Sequence, residues 1–266
     1  MDVDTSAGIL TASGLVKRFG GIAAVDDCSC ALTVGSVTGL IGPNGSGKST
    51  LIEVLAGSQR QDSGTIRLNG VNVSRWTPDR RARFGLVRTF QSARLWGELS
   101  VAENLLAAAP SRGRNDLWRT LLTAGALRAV EADDQRRAGE ILETFHLWPL
   151  RDAPAASLSG GQARLVEFGR VLMSNASVAL LDEPLAGVNP VMADQVLDGV
   201  RRLAQQGVTL LLVEHNLHVV EELCQEVIGM TLGKIVIRGT VAEIASSSFF
   251  AEAYLGVSPT ESESYE

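Results

Sequence analysis

"VTGLIGPNGSGKST", residues 37–50, decides the fold. Its first half, "VTGLIG", is an apolar run too short for a helix, and it ends in glycine; it reads as a buried strand. Its second half fits G-x-x-x-x-G-K-[ST] at Gly42, Gly47, Lys48 and Ser49. The residues that follow predict a helix over about 48–57. Strand, glycine-rich loop and helix in that order make a phosphate cradle. The loop of Gly42, Pro43, Asn44, Gly45, Ser46, Gly47, Lys48, Ser49 and Thr50 lets backbone N–H groups curl around phosphate oxygens. Lys48 supplies a point charge to the β- and γ-phosphates, and the Ser49 hydroxyl suits Mg2+. The positive end of the following helix adds to both. A plain glycine turn is the competing account, and the length and placement of the motif disfavour it.

Around this loop the chain reads as α/β. Residues 9–18 and 28–34 are β-rich, and "GTIRLNGVNV" (64–73) is a strand with a turn at Asn69-Gly70, which together predict an antiparallel β-subdomain. "FGLVRTF" (84–90), "VALLD" (178–182) and "VTLLLVE" (208–214) read as further buried parallel strands. Between them, Asn189 caps a helix, Pro190 takes its first position and Gly207 ends it. Met192, Val196, Val200 and Leu203 share one face of that helix. Residues 101–157 are helix-rich and interrupt the strand series, so an inserted helical subdomain is expected over about 92–157. "VIGMTLGKIVIRG" (227–239) reads as a hairpin turning near Gly233-Lys234. The acidic end, 257–266, is expected to be disordered.

Composition sets limits. The chain has 266 residues, of which 45% are hydrophobic and 20% charged. A net charge of −6 argues against a nucleic-acid partner, which calls for a basic face. Cys28, Cys30 and Cys224 are few and odd in number, with no second metal-spaced pair, and read as reduced packing residues. No segment approaches the ~20 apolar residues that span a bilayer. The first ten residues lack a charged-then-apolar leader pattern. The chain is therefore expected to stay in the cytosol and to meet a membrane only through a partner.

Three strand ends carry further chemistry. Asp182 and Glu183 close "VALLD" at the strand edge where open α/β sheets bind ligands. Asp182 suits Mg2+, and Glu183 suits polarisation of an attacking water. An acidic turn before Pro184 is the alternative. His215 follows "LLLVE" at the same edge and is a candidate γ-phosphate contact. Gln91, after "RTF", is a candidate for Mg2+ or the attacking water. Phe19, before Gly20-Gly21, can stack on an adenine or simply cover the β-region. "SLSGGQARLVEFGR" (157–170) poses a separate question. Ser159 and Gln162 form S-x-x-Q, a capping box for a helix over about 160–174. The intervening Gly160 and Gly161 cost helix stability, up to about 1 kcal/mol each in an interior. They permit close approach of the backbone to an anion, which a cap alone does not need.

These motifs in this order resemble the ATP-binding subunit of an ABC transporter over about residues 9–256. The resemblance implies a P-loop NTPase core with a mixed, largely parallel sheet. It implies ATP and Mg2+ as ligands and head-to-tail pairing of two nucleotide-binding subunits. In that pairing Ser159, Gly160, Gly161 and Gln162 of one subunit close over the ATP held by the other. It further implies membrane permease subunits, an extracytoplasmic solute-binding protein acting indirectly, and a place at the cytoplasmic face of the membrane. Residues 91–108, with Leu95 and Trp96 expected to be exposed, are the anticipated docking segment.

"FGGIAAVDD" (19–27), "VRTFQSARLWGELSVAENLLAA" (87–108), "AGVNP" (186–190), "VEHNLHVVEELC" (213–224) and "AYLG" (253–256) are similar to branched-chain amino acid uptake ATPases, with urea and amide importers close by. Asn189 departs from the aspartate common in the wider family. Arg164, Glu167 and Arg170 form a spaced charge set without assigned chemistry. An ATPase of an envelope-lipid exporter and a soluble ATPase of iron–sulfur assembly are the alternatives.

Overall fold

The computed structural model describes residues 8–89, 94–110 and 124–247. Two sheets organise the chain. The first is antiparallel, in the order β2-β1-β4-β5, built from β1 (Leu10–Phe19), β2 (Ile22–Leu32), β4 (Ser63–Leu68) and β5 (Val71–Asn72). The second has the order β10-β9-β3-β8-β7-β6. Its strands are β3 (Val37–Ile41), β6 (Leu86–Arg88), β7 (Val178–Asp182), β8 (Thr209–Val213), β9 (Glu226–Thr231) and β10 (Lys234–Gly239). All its neighbours run parallel except β10, which is antiparallel to β9. The expected mixed sheet and antiparallel β-subdomain are therefore both present.

The short apolar strands are buried on two faces, and their side chains alternate between two cores with the period of two that a pleat imposes. Val37, Ile41, Ala179, Leu181, Leu210 and Leu212 face one core. Leu40, Val178, Leu180, Leu211 and Val213 face the other. The second core is closed by α1 (Lys48–Ala56), whose Leu51, Ile52 and Leu55 pack beneath the antiparallel sheet. The first is closed by α5 (Gly160–Met173) and α6 (Pro190–Gln205). It continues into α3 (Val101–Leu106) and α4 (Ala124–Thr144), with Phe145 and Phe168 ring centres 6.5 Å apart. The helical insertion therefore shares its core with the sheet, and Phe168 on α5 is the link. The remaining helices are α2 (Pro78–Arg83), α7 (Leu217–Leu223) and α8 (Val241–Ala245).

Local signals set most boundaries. Asn189 caps α6 by accepting from Val191 N at 3.0 Å, with Pro190 at the first helical position. The α6 cap residue is Gln206, and Gly207 follows at φ 84° to turn the chain. β2 begins at Ile22, six residues earlier than the sequence reading, which makes Gly20-Gly21 a hairpin turn. The last hairpin turns at Leu232-Gly233, one residue before the expected place, because both adopt positive φ (47° and 80°). The expectations for Gln91, "PSRGRN" beyond Pro110, "AYLG" and the acidic end lie outside the described residues.

Candidate functional site

One row of the large sheet aligns the site. Leu40 pairs with Val213, and Val213 pairs with Asp182, so β3, β8 and β7 end side by side. The segments that leave them, Gly42–Thr50, Glu214-His215 and Glu183, therefore emerge at one carboxyl edge.

The loop after β3 is shaped by glycine at two points. Gly42 has φ 151°, and a Cβ there would lie 2.1 Å from Met230 O. Gly47 caps α1 at φ 104° without a side chain, and its Cβ would lie 2.1 Å from Ala24 O. No other residue fits against those carbonyls. Lys48 is buried and donates to Gly42 O at 2.7 Å and Pro43 O at 3.0 Å, so its ammonium fills the loop. Burial lowers its pKa from the usual lysine value, and Glu183 and Asp182 act against that fall. Ser46 Oγ is buried without a partner. Asn44, Gly45 and Ser49 are exposed at the mouth.

Glu183 and His215 meet. His215 Nε2 lies 2.5 Å from Glu183 Oε1, within hydrogen-bond reach, with the donor set by the tautomer of the ring. Glu183 is held at φ 46°, a left-handed conformation that costs a non-glycine residue on the order of 1–3 kcal/mol. Its N–H donates to Val213 O at 3.0 Å, which fixes the turn. Asp182 is buried and accepts from Arg88 Nη2 at 2.9 Å. Oxygen donors on Ser49 and Asp182, beside a loop built for phosphate, suit a hard cation such as Mg2+. Among the described residues no group of three or more His, Cys, Asp or Glu side chains forms a metal site of its own.

Two residues of this edge escaped the sequence reading. Glu214 is buried and accepts from Leu185 N at 3.4 Å and His215 N at 3.2 Å. Burial raises its pKa, the two N–H bonds lower it, and Glu183 adds to the rise. It ties the segment after Glu183 to the segment carrying His215. Its signal in the sequence was a carboxylate ending an apolar run, masked by the histidine beside it. Arg88 left no signal at all, because the Asp182 carboxylate it bonds is 94 residues away.

The other predicted positions are more dispersed. Phe19 is 47% exposed at the end of β1, with Lys17 Nζ 5.2 Å from its ring centre. The Ser159–Gln162 capping box is present in both directions, at 3.3 and 2.9 Å. Ser159 and Gly160 are exposed. Gly161 is buried, and a Cβ on it would lie 2.8 Å from Met192 Cβ, so this glycine has a packing role. Arg164 and Glu167 form a buried pair at 2.5 Å. Arg170 instead reaches Arg94 O and stacks 4.5 Å from the ring of Trp96. Trp96 is 49% exposed, whereas Leu95 packs half-buried against the first core. Among the described residues no helix is long and apolar enough to cross a membrane.

Comparison with known proteins gives the family. The family described as ABC transporter matches residues 25–186. The chain is 35% identical to the probable branched-chain amino acid transport ATP-binding protein LivG of Archaeoglobus fulgidus, over 96% of this chain and 98% of that protein. It is 34% identical to the high-affinity branched-chain amino acid transport ATP-binding protein BraF of Pseudomonas aeruginosa, over 94% and 99%. It is also 34% identical to the lipopolysaccharide export system ATP-binding protein LptB of Escherichia coli, over 93% and 97%. Among solved structures, the ADP conformation of an ATP-binding cassette of an ABC transporter superposes with a TM-score of 0.80 at 35% identity, covering 95% of this chain and all of that one. The phosphate loop, the carboxylate–histidine pair and these likenesses agree: the chain belongs to the ABC transporter family, as an ATP-binding, ATP-hydrolysing subunit.

Proposed function

We propose that this chain hydrolyses Mg-ATP to energise a multisubunit importer, with branched-chain amino acids or a related small solute such as urea or an amide as cargo. The observation that carries the chemistry is the 2.5 Å contact of His215 with Glu183 at the mouth of the Lys48 loop. In this reading Lys48 turns from the loop carbonyls to the β- and γ-phosphates. Glu183 accepts the proton of the attacking water, and His215 holds the Glu183 carboxylate and the γ-phosphate in register. Ser49 and Asp182, with Gln91, hold Mg2+, which when bound neutralises the phosphate charge. Positioning and charge stabilisation supply most of the catalysis in phosphoryl transfer. Phe19 stacks on the adenine. Two chains pair head to tail, so that Ser159, Gly160, Gly161 and Gln162 close over the partner's nucleotide. Permease subunits hold the pair at the cytoplasmic face of the membrane, and the exposed Trp96 marks the docking segment.

The cargo reading rests on relatives named for branched-chain amino acid transport, two of them described above, that match along nearly their whole length. Deleting the gene and measuring uptake of labelled leucine, with valine, urea and acetamide as competitors, tests it. Loss of leucine uptake, restored by the wild-type gene and not by the Glu183→Gln variant, is expected. Intact uptake of every solute together with a defect in envelope lipid would overturn import in favour of the exporter reading.

A further inference from the structure

Arg88 closes β6, the edge strand, and its guanidinium reaches inward across β7. Nη2 donates to Asp182 Oδ2 at 2.9 Å, and Nη1 lies 3.6 Å from Glu53 Oε1 on α1. The Arg88 and Asp182 side chains are 11% and 10% exposed, so the contact is largely out of water. A charge-assisted bond of this length pins one carboxylate oxygen. Asp182 Oδ1 takes no part in that bond. Glu53 holds the guanidinium from the other side, on the helix that Lys48 begins. The arrangement joins the strand-end carboxylate to the helix that carries the phosphate site.

We propose that Arg88 is a positioning residue for Asp182: it fixes Oδ2 so that Oδ1 is presented to the divalent cation of Mg-ATP. The proposal rests on the reading of Asp182 as a metal carboxylate. Two effects of opposite sign follow from a cation beside a metal-binding carboxylate. Arg88 orients the ligand, and it also competes for its charge. Orientation dominates, because Arg88 occupies only Oδ2 and because removing it would leave a nearly buried carboxylate free to rotate and poorly solvated. Groups that hold metal ligands from behind typically contribute about 10- to 100-fold in metal affinity.

The test separates cation binding from folding and from nucleotide binding. A fluorescent ATP analogue is titrated onto the full chain in EDTA and in Mg2+, without hydrolysis. In Arg88→Met, which keeps the apolar stem and loses the charge, affinity in EDTA is expected to stay at the wild-type value. The gain in affinity on adding Mg2+ is expected to fall by about 10- to 100-fold. Arg88→Lys, which keeps the charge with a single donor group, recovers part of the gain and serves as well if Arg88→Met does not fold. Asp182→Asn is the reference and should lose the gain. If Asp182→Asn keeps it, the metal reading falls and the proposal with it. If Asp182→Asn loses it while Arg88→Met and Arg88→Lys keep the wild-type gain, or exceed it, the metal reading stands and the role of Arg88 is overturned.

Discussion

Glu183 combines a left-handed backbone, a carboxylate at a strand end and a histidine partner, and each has a cause in the structure. Substitution to glutamine keeps its shape and removes its basicity. Glu183→Gln is expected to bind ATP like the wild type and to release phosphate about 10²- to 10⁴-fold more slowly, the usual share of a general base. Phosphate release and nucleotide binding, measured on the same preparation, check this; wild-type turnover would leave Glu183 a turn residue. Glu214 permits a finer test. Its two oxygens each receive one backbone N–H, and a glutamine amide offers only one oxygen. Glu214→Gln should therefore loosen the Leu185 and His215 segments against each other. We expect kcat to fall with KM for ATP unchanged, since Lys48 and its loop are untouched. A rise in KM with kcat intact would show that Glu214 serves nucleotide binding instead.

At the scale of the element, α5 separates two uses of glycine. Gly161 lies against Met192, whereas the nearest atom to a Cβ on Gly160 is Gly187 O at 3.5 Å, an ordinary contact. Gly161→Ala should overpack the α5–α6 seam and cost about 1–3 kcal/mol. Gly160→Ala should melt at or above the wild-type temperature, since alanine is the better helix former. If Gly160 faces a partner's nucleotide, the same variant loses hydrolysis despite its stability. Thermal melting and phosphate release on both variants decide between a cap and a binding surface. What was legible in the sequence follows the same division. The phosphate loop, the capping box and the Asn189 cap are written in neighbouring residues, and the buried strands in runs of apolar ones. Arg81 shows what was not legible. The run "PDRRARFG" carries no sign of which arginine is buried, yet Arg81 is 1% exposed and donates to Val54 O and Leu55 O at the end of α1. Burial lowers its pKa to about 10. Which of three arginines turns inward depends on where α1 ends, and that is a tertiary fact. The Arg88–Asp182 contact is hidden for the same reason.

The whole molecule keeps its thiols inside. Burial raises Cys30 and Cys224 to about 12, and raises Cys28, whose Sγ donates to Gly233 O at 3.0 Å. Since the thiolate is the reactive form, none of the three should react with a thiol reagent in the native protein, and all three should react after unfolding. A native count above zero at pH 8 would place a cysteine at the surface. Gly233 has a wider reach. Its N–H donates to Ser46 O at 2.9 Å, its carbonyl accepts from Asp26 N at 2.8 Å, and Met230 O lies against Gly42. The loop spelled at 42–50 is thus held by the hairpin of β9 (Glu226–Thr231) and β10 (Lys234–Gly239), far downstream of it in the sequence. On the ribosome, where residues are added at about 5–20 per second, that hairpin arrives on the order of ten seconds or more after the loop. A nascent chain shorter than this carries the whole phosphate motif and lacks the Gly233 and Met230 contacts that brace it. Nucleotide capture is therefore expected only from a chain in which the hairpin of β9 and β10 has already been made.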